Sequence, residues 1–160
     1  MNGLVSDCPN IMTVAELFDE AKLSPCGPVR WGTEIPEPSA GVYVVALVGE
    51  TKLGCQVDAD FLEPLERQRW LPTEPVIYIG QTTTQTLAKR LGQFYLHKYG
   101  DKRPHYGGQA VKLLLHPPPP RSPFDLWVYW SLATDPRGSE RTMIDAFKER
   151  VGTLPFANRR

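Results

Sequence analysis

The stretch Gly41-Val-Tyr-Val-Val-Ala-Leu-Val48 is the longest apolar run in the chain, and it decides the fold class. β-branched and aromatic side chains in such a run predict a strand that is buried on both faces. Runs of the same character occur at residues 76–80 (VIYIG) and 124–132 (FDLWVYWSL). We therefore predict a small, mostly antiparallel central sheet of three strands.

Helical spacing of apolar residues surrounds these strands. The spacing predicts a helix over 14–22 that starts at a Thr13–Glu16 capping box, and a second helix over 85–99. A third is predicted over 140–150, capped by Ser139 and ended by Gly152. The pattern predicts one α+β domain over 1–160, with an N-terminal helix and irregular, proline-rich arm over 1–40 and an insertion over 49–75.

Composition excludes several classes of protein. A chain of 160 residues with 41% hydrophobic and 22% charged residues is neither disordered nor a coiled coil. The longest apolar run is too short to cross a bilayer, and residues 1–30 lack the pattern of a secretory signal. Three cysteines without CxxC spacing argue against a disulfide framework and a metal knuckle. We expect a cytoplasmic protein with reduced thiols and no membrane partner.

The formal net charge of zero conceals an uneven distribution. Residues 1–80 carry 5 basic and 12 acidic side chains, whereas residues 81–121 carry 7 basic side chains, one acidic side chain and all three histidines. A local positive region attracts phosphate even in a neutral chain. This region predicts nucleic-acid contacts, and the alternative is a solvated basic face. The predicted contact residues are Lys89, Lys98, Lys102, Arg103 and His105.

Five residues of types often found in active sites follow one another in a specific order along the predicted elements. Gly41-Val-Tyr43 and Tyr78-Ile-Gly80 each place a tyrosine beside a glycine on a predicted strand, and Arg90 follows on the next predicted helix. Glu140 opens the last predicted helix, and Asn158 lies near the end of the chain. From Gly41 to Asn158 this order resembles the GIY-YIG nuclease superfamily, in particular restriction-type members with a long insertion between the two motifs.

The resemblance implies a role for each of these residues. Tyr43 and Tyr78 match the two motif tyrosines, one of which helps to deprotonate the attacking water. Arg90 matches the arginine that neutralises the scissile phosphate, and Asn158 matches a late catalytic asparagine. Glu140 matches the glutamate that binds Mg²⁺ or Mn²⁺. The implied activity is metal-dependent hydrolysis of DNA by an endonuclease, acting as a homodimer or with partner subunits.

General chemistry agrees with these roles. A single carboxylate can anchor Mg²⁺, which keeps several waters and contacts a phosphate oxygen. The planar fork of arginine suits phosphate, and a tyrosine beside a metal ion and an arginine ionises more readily.

Each residue taken singly also has a plainer interpretation. The tyrosines could be core aromatics, Arg90 a surface cation, and Glu140 a partner of the helix dipole. Asp145 and Glu149 are alternative carboxylates on the same helix.

One position departs from the family pattern. Phe94 stands where many members carry a histidine or tyrosine, although Tyr95, His97 or His105 could replace that group. Phe94 favours a second hypothesis, in which the same fold is a non-catalytic module that binds nucleic acid or a protein.

Overall fold

The computed structural model describes residues 11–47, 71, 74–96 and 126–158, with Phe94 and Leu96 described by their backbone alone. Within these residues the fold is α+β, with a sheet of four strands rather than the predicted three. The elements in chain order are α1 (Val14–Glu20), β1 (Cys26–Arg30), β2 (Gly41–Leu47), β3 (Val76–Thr82), α2 (Leu87–Leu96), β4 (Leu126–Leu132) and α3 (Pro136–Val151).

The sheet has the strand order β1-β4-β2-β3, and each neighbouring pair is antiparallel. β2 lies between β4 and β3, and all seven of its residues are buried. This confirms the prediction of a strand covered on both faces. β3 has β2 as its one strand neighbour among the described residues, so it forms an edge of the sheet.

β1 corrects the prediction of an irregular, proline-rich arm within residues 1–40. It pairs with β4 through Cys26↔Trp130 and Val29↔Val128, and the register shifts between these two pairs. Proline lacks the amide hydrogen that a central strand needs, but an edge strand or a bulge tolerates it. Pro28 lies at this shift, which explains how a proline-containing segment still pairs. The predicted irregular arm is thus limited to its residues outside α1 and β1.

Two apolar cores cover the two faces of the sheet. Alternate side chains of β2 point to opposite faces, so Tyr43 and Val45 join one core and Val42 and Val44 join the other. The first core packs against Leu87 and Leu91 of α2, together with Phe156 and Ala157 near the end of the chain. The second core packs against α1 and α3 through Leu17, Phe18, Met143 and Phe147. The helices α2 and α3 therefore lie on opposite faces of the sheet.

Helix α3 begins earlier than the predicted start at residue 140. Its N-cap is Asp135, whose carboxylate accepts a hydrogen bond from the Gly138 N–H at 3.1 Å, and not the predicted Ser139. Pro136 opens the helix, where its missing N–H costs nothing. The predicted end is confirmed, because Gly152 adopts φ 92° and donates to the Lys148 carbonyl at 2.9 Å.

The predicted capping box of α1 is confirmed in one half. The Thr13 hydroxyl accepts a hydrogen bond from the Glu16 N–H at 3.2 Å. The Glu16 carboxylate pairs with Arg150 of α3 and so ties the two helices together.

Some predictions fall outside the described residues. The insertion over 49–75 is described at Leu71, Glu74 and Pro75 alone, and Cys8 and Cys55 are not described. Cys26 is an exposed free thiol. None of the described helices combines the length and the apolar character that a bilayer crossing needs.

Candidate active site

The glycines of the two tripeptides make room for neighbouring groups. Gly80 pairs with Tyr43 across β2 and β3, and a Cβ at Gly80 would lie 2.7 Å from the Tyr43 hydroxyl oxygen. A Cβ at Gly41 would lie 3.0 Å from Leu87 Cδ1 and would also collide with the Ser131 carbonyl. Glycine at residue 80 therefore lets the Tyr43 ring cross the neighbouring strand, and glycine at residue 41 makes room for the backbone of β4 and for Leu87 of α2.

Tyr43 and Tyr78 form a contacting pair on one face of the sheet. Their ring centroids are 5.9 Å apart with an interplanar angle of 43°. The Tyr43 side chain is fully buried, whereas Tyr78 is partly exposed. A hydrogen bond joins the two hydroxyl groups, with Tyr78 as the acceptor. Tyr78 is thus the member of the pair that solvent or a substrate can reach.

Arg90 reaches this pair from α2. Its guanidinium donates a hydrogen bond to the Tyr43 hydroxyl and acts electrostatically on Tyr78. The Arg90 Nε atom is buried, yet within the described part of the chain its hydrogen has no partner. A buried donor without a partner is costly unless a ligand or water satisfies it.

Glu140 reaches the same place from α3, on the opposite face of the sheet. Its carboxylate interacts electrostatically with both Tyr78 and Arg90. Because β3 is the last strand of the described sheet, side chains from α2 on one face and α3 on the other can meet beside it. Glu140 lies in the second turn of α3, beyond the first turn where the helix dipole acts most strongly. The dipole interpretation therefore explains this residue poorly.

Burial controls the pKa values of these groups. Burial raises the pKa of Tyr78 to about 12, and it raises the pKa of Tyr43 well above its ordinary value of 10.0. Arg90 lowers both pKa values, as expected from the sequence, but burial outweighs it. Burial also raises the pKa of Glu140 above 4.5, and Arg90 offsets this in part. The protein alone thus holds Tyr43 and Tyr78 neutral and disfavours the charge of Glu140.

The Asn158 side chain forms hydrogen bonds with the backbone of the edge strand β3. Its Oδ1 accepts a hydrogen bond from the Ile79 N–H at 2.9 Å, and its Nδ2 donates to the Ile79 carbonyl at 2.8 Å. The Ala157 N–H donates to the Ile77 carbonyl at 2.8 Å, so the end of the chain runs along β3. Asn158, predicted from the resemblance as catalytic, therefore holds the strand that carries Tyr78 and Gly80.

A metal ion at this site would have few protein ligands among the described residues. Among them, no group of three or more His, Cys, Asp or Glu side chains comes together. A single carboxylate fits Mg²⁺ or Mn²⁺ when waters and substrate oxygens complete the coordination. Glu140 suits that arrangement, because a cation beside it would favour the charged form that burial disfavours.

The predicted nucleic-acid contacts are described at one position. Lys89 is exposed on α2, and the other four (Lys98, Lys102, Arg103 and His105) lie outside the described residues, as does the Phe94 side chain. Sequence reasoning missed three further cations on α3, namely Arg137, Arg141 and Lys148. Their helical spacing is the signal that could have found them, but the helix was predicted to begin after Arg137.

The geometry brings together the side chains of Tyr43, Tyr78, Arg90 and Glu140 from β2, β3, α2 and α3. No protein-family model, curated protein or solved structure matches this chain.

Proposed function

We propose that the protein is a metal-dependent endonuclease that hydrolyses phosphodiester bonds of DNA at the Tyr43–Tyr78–Arg90–Glu140 cluster. The observation that carries the proposal is that the half-buried Arg90 guanidinium lies beside two tyrosine hydroxyls and a carboxylate. A phosphate oxygen would bind this guanidinium, since guanidinium and phosphate form strong charge-assisted hydrogen bonds. The GIY-YIG resemblance points to the same chemistry.

Arg90 and Tyr43 position the reacting phosphate in this proposal. Arg90 binds a non-bridging oxygen and stabilises the negative charge that grows there during attack. Tyr43 is fully buried, so it does not meet the substrate. Its hydroxyl bridges Arg90 and Tyr78 and holds both groups in place.

Tyr78 handles the attacking water. It is the more exposed tyrosine and already accepts a hydrogen bond from Tyr43, which favours its ionised form. The Tyr78 hydroxyl first gives its proton to solvent, and the resulting phenolate takes a proton from the water while the water oxygen bonds to phosphorus. The opposite P–O bond breaks, and its oxygen leaves with the electron pair and takes a proton from solvent. Glu140 would hold the divalent ion, which supplies positive charge to the phosphate and lowers the cost of ionised oxygens nearby.

Plasmid nicking with Mg²⁺ or Mn²⁺ tests this proposal. We expect relaxation of supercoiled DNA that EDTA abolishes. Glu140→Gln and Tyr78→Phe should each lower the rate by about 10²-fold or more, the usual scale for a lost metal ligand or proton acceptor. Glu149→Gln is the matched control, because this exposed carboxylate lies on the same helix away from the cluster. It should nick at the wild-type rate.

Two outcomes would contradict the proposal. Nicking that survives in Glu140→Gln would place the chemistry elsewhere or in a contaminant. DNA binding by a folded wild-type protein, without turnover with either metal, would favour the non-catalytic binding module instead.

A further inference from the structure

A stripe of three cations runs along α3 beside the candidate site. Arg137, Arg141 and Lys148 are spaced by 4 and 7 residues, which places them on one face of a helix with 3.6 residues per turn. Together with Glu140 they line a groove between this helix and the edge strand β3, where Gln81 forms part of the wall. Glu140 therefore belongs both to the groove and to the candidate site.

These cations lie in the groove without a neutralising partner in the described part of the chain. None of Arg137, Arg141 and Lys148 forms an ion pair with another described residue, although Asp145 lies in the same groove. Arg150, on the α1 side of the same helix, does pair with Glu16. Arg150 thus connects α3 to α1 on one side of the helix. The charges of Arg137, Arg141 and Lys148 on the other side remain available to a ligand.

The spacing of the charges suits a linear polyanion. At 1.5 Å rise per residue, the distance along the helix from Arg137 to Lys148 is about 16 Å. Cations so far apart cannot converge on one small anion. One strand of a DNA duplex advances about 3.4 Å per phosphate, so roughly five phosphates would span this length.

We infer that the α3 groove binds the sugar–phosphate backbone of duplex DNA and leads the bound strand past Glu140. This inference rests on the proposed nuclease function and adds the path of the substrate. Contacts of this kind fix position and carry no sequence information. Two carboxylates, Glu140 and Asp145, face the same groove. The groove thus holds three cations against two acids, and a divalent ion at Glu140 would increase its positive character.

The test measures binding without cleavage. The full chain and a fluorescent 20-base-pair duplex are titrated in EDTA at several salt concentrations between 50 and 200 mM. The variant is Arg137→Gln/Arg141→Gln/Lys148→Gln, and Arg150→Gln is the matched control on the opposite flank. Each phosphate contact contributes about −0.9 to the slope of log K against log salt. We therefore expect the slope of the triple variant to be less steep than that of the wild type by about 2–3. Arg150→Gln should keep the wild-type slope.

The outcomes separate this inference from the proposed function. A triple variant that melts at the wild-type temperature but keeps the wild-type slope overturns the groove assignment, and so does a wild-type protein that binds no duplex at low salt. Wild-type nicking in either case leaves the nuclease proposal standing. A reduced slope in the triple variant, with no nicking by the wild type, supports the groove and refutes the nuclease.

Discussion

Single residues in the candidate site are constrained by close contacts as well as by chemistry. Gly80 is the clearest case, because the Tyr43 hydroxyl occupies the space where any other residue would place its Cβ. The same Cβ would lie 2.6 Å from Tyr78 Cε1, so this glycine makes room for both tyrosines of the pair. The two glycine–tyrosine tripeptides are linked physically, since the glycine of one accommodates the tyrosine of the other across the β2–β3 pairing.

We predict that Gly80→Ala disables the site by displacing Tyr43. A methyl group 2.7 Å from the Tyr43 hydroxyl oxygen must push the ring away from Tyr78 and Arg90. Overpacking of this kind costs about 1–3 kcal/mol, and we expect nicking to fall at least tenfold. Thermal melting and plasmid nicking measure the two effects.

The control for that substitution is Gly92→Ala on α2, where an added Cβ meets no atom of the described residues within 4 Å. Alanine in place of a helical glycine should stabilise the protein by about 0.5–1 kcal/mol and leave nicking unchanged. If Gly80→Ala instead kept both the stability and the rate of the wild type, the position of Tyr43 would not matter for activity.

At the scale of elements, the edge strand β3 depends on the end of the chain. β3 carries Tyr78 and Gly80, and the Asn158 amide satisfies both backbone groups of Ile79 between them. Buried backbone groups at an edge need such partners, because water does not reach them. Asn158 is thus a positioning residue whose removal should be felt first in the stability of the protein.

We predict that Asn158→Ala lowers the free energy of unfolding by about 2–4 kcal/mol, since it leaves a buried donor and a buried acceptor unpaired. Asn158→Asp should be at least as damaging at pH 7, because a carboxylate oxygen would face the Ile79 carbonyl. The loss in free energy of unfolding of the aspartate variant should become smaller towards pH 4, where protonation of the carboxylate restores a hydrogen-bond donor. Urea unfolding at both pH values measures this.

The exposed amide Gln93 on α2 offers the matching substitution, Gln93→Glu, which should cost little at either pH. A stable Asn158→Ala protein that had nevertheless lost nicking would contradict the structural role and favour a catalytic one.

The elements also separate what local sequence predicts from what it does not. β2 was predictable because an apolar run of β-branched residues is typical of a strand buried on both faces. β1 was missed because Pro28 indicates irregular backbone, and only its place at an edge makes pairing possible. The start of α3 was missed because Asp135-Pro-Arg-Gly fits a turn as well as a first helical turn.

The candidate site also combines features that the sequence predicts with features that it does not. The order of tyrosines, arginine and glutamate predicted which side chains to examine together, and the fold brings four of them into one cluster. The contact of Asn158 with Ile79 was not predictable, because it joins residues 79 positions apart and leaves no local pattern. The raised tyrosine pKa values likewise depend on burial, which the tertiary structure sets.

At the scale of the whole molecule, the candidate site lowers the free energy of unfolding. Glu140 has a folded-state pKa above its ordinary value of 4.5, with burial as the main cause. The native state therefore holds the proton more tightly than the unfolded state between those two pKa values. The free energy of unfolding must fall as pH rises through that window, and the penalty is complete above it. Active sites are often retained in spite of such costs.

We therefore predict that Glu140→Gln melts at a higher temperature than the wild type at pH 7 in EDTA, by about 1–3 °C. The difference should disappear as the pH falls below 4.5, where the wild-type carboxyl is also neutral. Mg²⁺ should raise the melting temperature of the wild type and not that of Glu140→Gln, since a ligand of the native state stabilises it by mass action. Glu149→Gln should follow the wild type throughout. Equal melting temperatures for wild type and Glu140→Gln at pH 7, with no response to Mg²⁺, would mean that Glu140 neither strains the fold nor binds the metal.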